Sequence, residues 1–209
     1  MRIGHVKVKE LLACTDWCIK NTFPEDYDSR CLYSACAIHT ILTNAGFEAI
    51  IVGGNVGALT LSADGGEALL EGFGGGDTTQ PSHYWVEVNG IILDPGISYL
   101  PRRSRMSAVQ MPMIAWKKSK PLPSYIQYQE VIRYAPEAEY VFPEDIANRI
   151  TDFIELCKKR YASKAAKKKL STWLLSSSAE LDKAAKTGDK WAKGAFRFQS
   201  MDSTPTIPA

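Results

Sequence analysis

The sequence has no hydrophobic run close to the roughly 20 residues that a membrane-crossing helix needs, and its first residues, MRIGHVKVKELL, lack the apolar stretch and small-residue cleavage site of a secretory leader. It is therefore expected to stay in the cytoplasm, away from membranes. Charge of one sign is missing too. Lys and Arg number 25 against 23 Asp and Glu, a balance of +2 over 209 residues, so net charge points to no particular partner. The five cysteines, Cys14, Cys18, Cys31, Cys36 and Cys157, are odd in number and follow no disulfide or zinc-ribbon spacing, which suits reduced thiols. There is no internal repeat. What is present is a hydrophobic fraction of 45%, enough for a packed core and too high for a disordered or fibrous chain.

The charge is unevenly placed. Residues 158–197 hold twelve Lys and Arg against three acids, a net +9, while residues 1–157 carry −6. Residues 6–22 recur apolar at three- and four-residue intervals and predict an amphipathic helix. Residues 23–30 predict a loop in which Asp28 or Ser29 is a natural N-cap for a second helix, Cys31 to Asn44, closed by Gly46. Short strands are expected at Phe47–Val52 and Ala58–Ser62, with Gly53 and Gly54 bounding the first. HYWVEV, Asn89-Gly90 and IILD predict a two-residue type I′ hairpin. Further strands are expected at Met113–Lys117 and Ser124–Tyr134, and helices at Glu144–Lys159 and Tyr161–Ser177. In the last of these, Ala166, Leu170, Trp173 and Leu174 form an apolar stripe with lysines largely opposite. The division expected is a core at 1–142, a helical extension packed on it at 143–200, and a loose tail at 201–209.

A cysteine in the first turn of a helix lies near unpaired backbone N–H groups and the positive end of the helix dipole, which favour a nucleophilic thiolate. Cys31 is so placed, whereas Cys36, about 140° further round the helix, belongs to the core. The hairpin adds a geometric inference. With a two-residue turn, Val88 faces Ile91, Glu87 faces Ile92 and Val86 faces Leu93. One side then carries His83, Trp85, Glu87, Ile92 and Asp94, and the other an apolar set, Tyr84, Val86, Val88, Ile91 and Leu93. Asp94 becomes the diagonal neighbour of His83, roughly 7 Å away at Cβ, close enough for a carboxylate to bond an imidazole. That pair can serve as base and orienter for a nucleophile.

CLYSACAIHTILTNAG (31–46), FEAIIVGG, and HYWVEVNGIILDP (83–95) together resemble the transglutaminase-like branch of the papain-like cysteine enzymes, over residues 25–96. The matching positions are Cys31, Ala35, Gly46, His83, Trp85, Glu87, Val88, Asp94 and Pro95. The small size also resembles that of small bacterial families of that superfamily. The resemblance implies an α+β fold with the catalytic Cys at the N-terminus of a core helix, packed on an antiparallel sheet that carries His and Asp. It implies Cys31 as nucleophile, His83 as general base and acid, and Asp94 as the group orienting His83. The activity implied is hydrolysis of an amide or peptide-type bond in a peptide, protein or small amide, through an acyl-thioester. Transfer to an amine, as in transglutaminases or arylamine acetyltransferases, is the alternative. Where the family often has an oxyanion-hole Gln upstream of the nucleophile, this chain has Glu25, which leaves Asn21, Tyr27 and Trp17 as candidate donors.

Trp85 is expected either to line the substrate cleft or to shield the triad. His39 reads as a packing histidine, His5 as a surface residue, and Cys14 and Cys18 as helix core. Gly72–Ser82 lacks the Lys-Ser/Thr of a phosphate loop and reads either as a mobile loop bordering the cleft just before His83 or as an ordinary loop. Neither metal nor cofactor is expected. From another class, a non-catalytic module would use the basic C-terminal helices to hold a nucleic acid or acidic partner.

Overall fold

The computed structural model describes residues 1–73, 79–134 and 144–199. The boundary expected after residue 142 and the tail at 201–209 lie outside these residues. A small hairpin, β1 (Arg2–Ile3) and β2 (Val6–Lys7), leads into α1 (Val8–Thr22), whose apolar stripe buries Leu11, Leu12, Cys18 and Ile19. After a single 3-10 turn at Tyr27–Ser29 comes α2 (Cys31–Asn44), with the limits that its sequence predicts. Neither Asp28 nor Ser29 caps it. The N-cap is Arg30, with no side-chain capping bond, because Asp28 pairs with Arg102 and Arg103 while the Ser29 hydroxyl donates to the Asp26 carbonyl. At the other end Gly46, at φ +82°, reverses the chain, and the N–H groups of Gly46 and Phe47 return to the carbonyls of Thr43 and Leu42.

One mixed sheet of seven strands follows. Its long member is β3 (Ala49–Leu61), where two strands were expected. Gly53 and Gly54 do not break it. They make room, since a Cβ on Gly54 would lie 2.1 Å from the Gln129 carbonyl oxygen and 2.8 Å from the Trp85 ring. β3 pairs antiparallel with β4 (Ala68–Gly72), β5 (His83–Val88) and β8 (Ile126–Arg133), and the pairing with β8 shifts register at Gly53/Gly54. β5 turns into β6 (Ile91–Asp94) through Asn89 and Gly90, at φ 48° and 69°, in the predicted register: Val88 opposite Ile91, Glu87 opposite Ile92, Val86 opposite Leu93. β6 pairs with β7 (Met113–Lys117), and β7 pairs in parallel with β9 (Leu174–Leu175), so the sheet is not wholly antiparallel as expected.

Side-chain alternation on β5 and β6 sends the two faces into separate buried clusters. Val86, Val88, Ile91 and Leu93 pack against α1, α2 and α3 (Glu144–Ala162), from which Ile150, Phe153 and Cys157 enter. Trp85 and Ile92 pack in a second cluster with Tyr125, Trp191 and the helices α4 (Ser178–Lys186) and α5 (Lys190–Gln199). The helix expected over Tyr161–Ser177 does not form. The chain leaves α3 at Ala162 and folds back, with Arg160 donating to the Lys167 carbonyl and Lys168 to that of Tyr161, so that Leu174 and Leu175 reach the edge of β7. The result is an α+β fold with helices over a curled mixed sheet. Among the described residues, no helix is long and apolar enough to cross a membrane.

Candidate active site

His83 opens β5 and Asp94 closes β6, so the two-residue turn alone brings them to one end of the hairpin on the same face. Both are fully buried, and His83 Nε2 lies 2.9 Å from Asp94 Oδ2. Asp94 has two further donors: the Tyr128 hydroxyl at 2.8 Å on Oδ2 and the Ile97 N–H at 3.3 Å on Oδ1. With Nε2 taken, His83 Nδ1 is the ring atom left without a hydrogen-bond partner. Cys31, half-buried at the start of α2, is the group that faces it closely enough to act on it.

Burial by itself disfavours an imidazolium at His83. The charges of Asp94 and Cys31 outweigh it and push the ring up to about 10, so it is protonated at neutral pH. The flat face of Phe73 covers the ring, stacked at 4.5 Å and 8°. A Cβ on Gly96 would lie 2.6 Å from His83 Cε1 and 3.2 Å from Asp94 Oδ1, which shows how closely the backbone after Asp94 wraps the pair. The absence of a side-chain cap on α2 leaves its first N–H groups available beside Cys31.

The other sequence candidates lie elsewhere. Asn21 Nδ2 donates to the Trp17 carbonyl at 2.7 Å within α1, and the exposed Trp17 ring is covered by the Arg160 guanidinium at 3.6 Å. Tyr27 packs edge-on against Tyr99, with Arg102 over its ring at 4.6 Å. Trp85 is buried 6.4 Å from His83, shielding it, while its ring also walls a 260 Å³ cavity with Ile92, Leu122 and Tyr128. Cys36 is buried, and that burial pushes its thiol up to about 12. Cys14 and Cys18 are buried on α1, and His5 is exposed beside Phe47. His39 is half-buried, and burial lowers its pKa. Of the loop at Gly72–Ser82, residues 74–78 lie outside the described residues, while its flanks reach the site through Phe73 and through Ser82, which donates to Asn55.

No local pattern in the sequence marks Tyr128, which reaches Asp94 from β8, 34 residues further along the chain. Phe73 lies in the Gly72–Ser82 loop just before His83, where the sequence pointed to the loop but not to this side chain. Among the described residues, no three His, Cys, Asp or Glu side chains are grouped so as to hold a metal ion.

No family model matches the chain, and no curated protein matches it. One solved structure, the crystal structure of a genomics target, aligns with a TM-score of 0.48 and 17% identity over 78% of this chain and 83% of the other. At that level the alignment supports no inference about fold family or function.

Proposed function

We propose that the chain is a papain-like, transglutaminase-like cysteine hydrolase acting on an amide or peptide-type bond. The observation that carries this reading is the buried His83–Asp94 bond at 2.9 Å, with His83 Nδ1 unpaired and the half-exposed Cys31 facing it from a helix start. In the reaction, the Cys31 thiolate adds to the amide carbonyl, and the first-turn N–H groups of α2 receive the developing oxyanion. The C–N bond then breaks as His83 gives its Nδ1 proton to the leaving amine, leaving an acyl-thioester on Cys31. Water attacks the thioester while His83 Nδ1 takes its proton, and the C–S bond breaks to release the acid and return the sulfur to its pairing with the imidazolium. Asp94 holds the ring in one orientation throughout. An amine in place of water makes the same site an acyltransferase.

The test is the pH dependence of iodoacetamide labelling, with the modified cysteine located by mass spectrometry. Cys31 is expected to react fast and selectively at about pH 7, and markedly more slowly in His83→Ala and Asp94→Asn. Labelling no faster than that of Cys14 or Cys157, and unchanged in both variants, overturns the triad. The competing reading, a binding module for nucleic acid or an acidic partner, draws on the net +9 of residues 158–197. It requires retention on heparin or DNA that collapses between low and moderate salt.

A further inference from the structure

We infer that Tyr128 is a positioning residue of this site, acting through Asp94 by sharing with His83 the carboxylate oxygen that orients the imidazole. The inference rests on the Cys31–His83–Asp94 reading and adds a fourth group to it. Tyr128 lies on β8, its hydroxyl donating to Asp94 Oδ2 at 2.8 Å, while His83 Nε2 meets the same atom at 2.9 Å. The Ile97 N–H fixes the other oxygen, so the carboxylate is held from three directions and cannot turn. A phenylalanine would pack edge-on against Trp85 equally well. Only the hydroxyl needs an acceptor, and its acceptor is the carboxylate behind the histidine.

The backbone is shaped to allow this. Tyr128 pairs with Val56, beyond the register shift at Gly53/Gly54, and β8 comes so near β3 there that any side chain on Gly54 would overlap the Gln129 carbonyl. Burial, reinforced by Asp94, holds Tyr128 well above the ordinary phenol range, so it remains a donor. Among the described residues, the ionisable groups facing the His83–Asp94 pair are Cys31 from α2, Tyr99 from the 3-10 segment after Asp94, and Tyr128 from β8.

The sign of one shift separates positioning from mere packing. If the hydroxyl carries part of the Asp94 charge, its loss leaves the imidazolium as the main counter-charge, and His83 holds its proton more tightly. If Tyr128 only fills space, phenylalanine fills it as well, and His83 titrates as in wild type. The experiment is an imidazole NMR titration of the full chain, which has three histidines to assign, in wild type, Tyr128→Phe and Asp94→Asn, with urea unfolding of each as a check on folding. The expected result is a high His83 titration in wild type, a fall in Asp94→Asn, and a rise in Tyr128→Phe of at least about half a pH unit, roughly threefold in proton affinity. An unchanged or lowered value in Tyr128→Phe, with the other two as expected, overturns the role of Tyr128 and leaves the triad standing. Ordinary titration in both wild type and Asp94→Asn removes the triad and this inference with it.

Discussion

His83 has no exposed surface, and an isolated imidazolium there would be expelled in favour of the neutral ring. Asp94 and Cys31 reverse that preference, raising the group from an ordinary 6.5 to about 10. Between those two values the folded chain keeps a proton that the unfolded chain has released. Taken alone, this contribution to stability is therefore complete below about pH 6.5 and is lost as pH rises through 10. Urea unfolding at several pH values should show that decline in wild type and a much flatter line in Asp94→Asn; parallel lines would contradict it. Gly96 offers a steric counterpart. A methyl there meets His83 at 2.6 Å, and the neighbours that must yield are the imidazole and the Asp94 carboxylate. Gly96→Ala is expected to cost about 1–3 kcal/mol and to slow Cys31 alkylation sharply, whereas a methyl accommodated elsewhere would leave labelling at the wild-type rate.

Two elements bring Cys31 and His83 together, and a third ties them. The 3-10 segment Gly96–Arg103, which continues from Asp94, reaches the loop before Cys31: Arg102 donates to the carbonyls of Pro24 and Glu25, pairs with Asp28 at 3.2 Å and covers the Tyr27 ring. Arg102→Ala removes these links without emptying the core. It is expected to leave the urea midpoint nearly unchanged while slowing Cys31 labelling severalfold; equal labelling would mean that α2 holds its place unaided. This clamp was not legible in the sequence, although its two ends were. The helix beginning at Cys31 and the hairpin register that sets His83 beside Asp94 are local, fixed by 3.6-residue periodicity and by Asn89-Gly90. What failed was decided at long range. Gly53-Gly54 reads locally as a strand end, yet its purpose is the close approach of Trp85 and β8, which is what seats Tyr128. The stripe over 161–177 has helical spacing, yet parallel pairing of Leu174 and Leu175 with β7 claims its end as strand.

At the scale of the whole molecule, the sheet has no solvent-facing side along β5 and β6, because the face bearing His83 and Asp94 is closed by the second buried cluster. That cluster draws one of its three tryptophans from α5. Trp191 is fully buried, stands edge-on to Tyr125 at 5.4 Å, and donates its indole N–H to the Leu59 carbonyl on β3 at 2.7 Å. Gly194, one turn further along α5, lets the helix lie directly on Leu61. The C-terminal helices are thus part of what encloses the Trp85 side of the site, not only a carrier of surface lysines. Trp191→Ala should cost about 3–5 kcal/mol, the range for emptying a tryptophan-sized core position, with the unpaired Leu59 carbonyl adding to the loss. Because Trp85 and Trp191 share one cluster, the damage should reach the site: Trp85 fluorescence should report unfolding at the same lowered urea midpoint as far-ultraviolet circular dichroism. An early transition seen by circular dichroism alone, with Trp85 and Cys31 labelling intact, would instead mean that α4 and α5 come away as a separate unit.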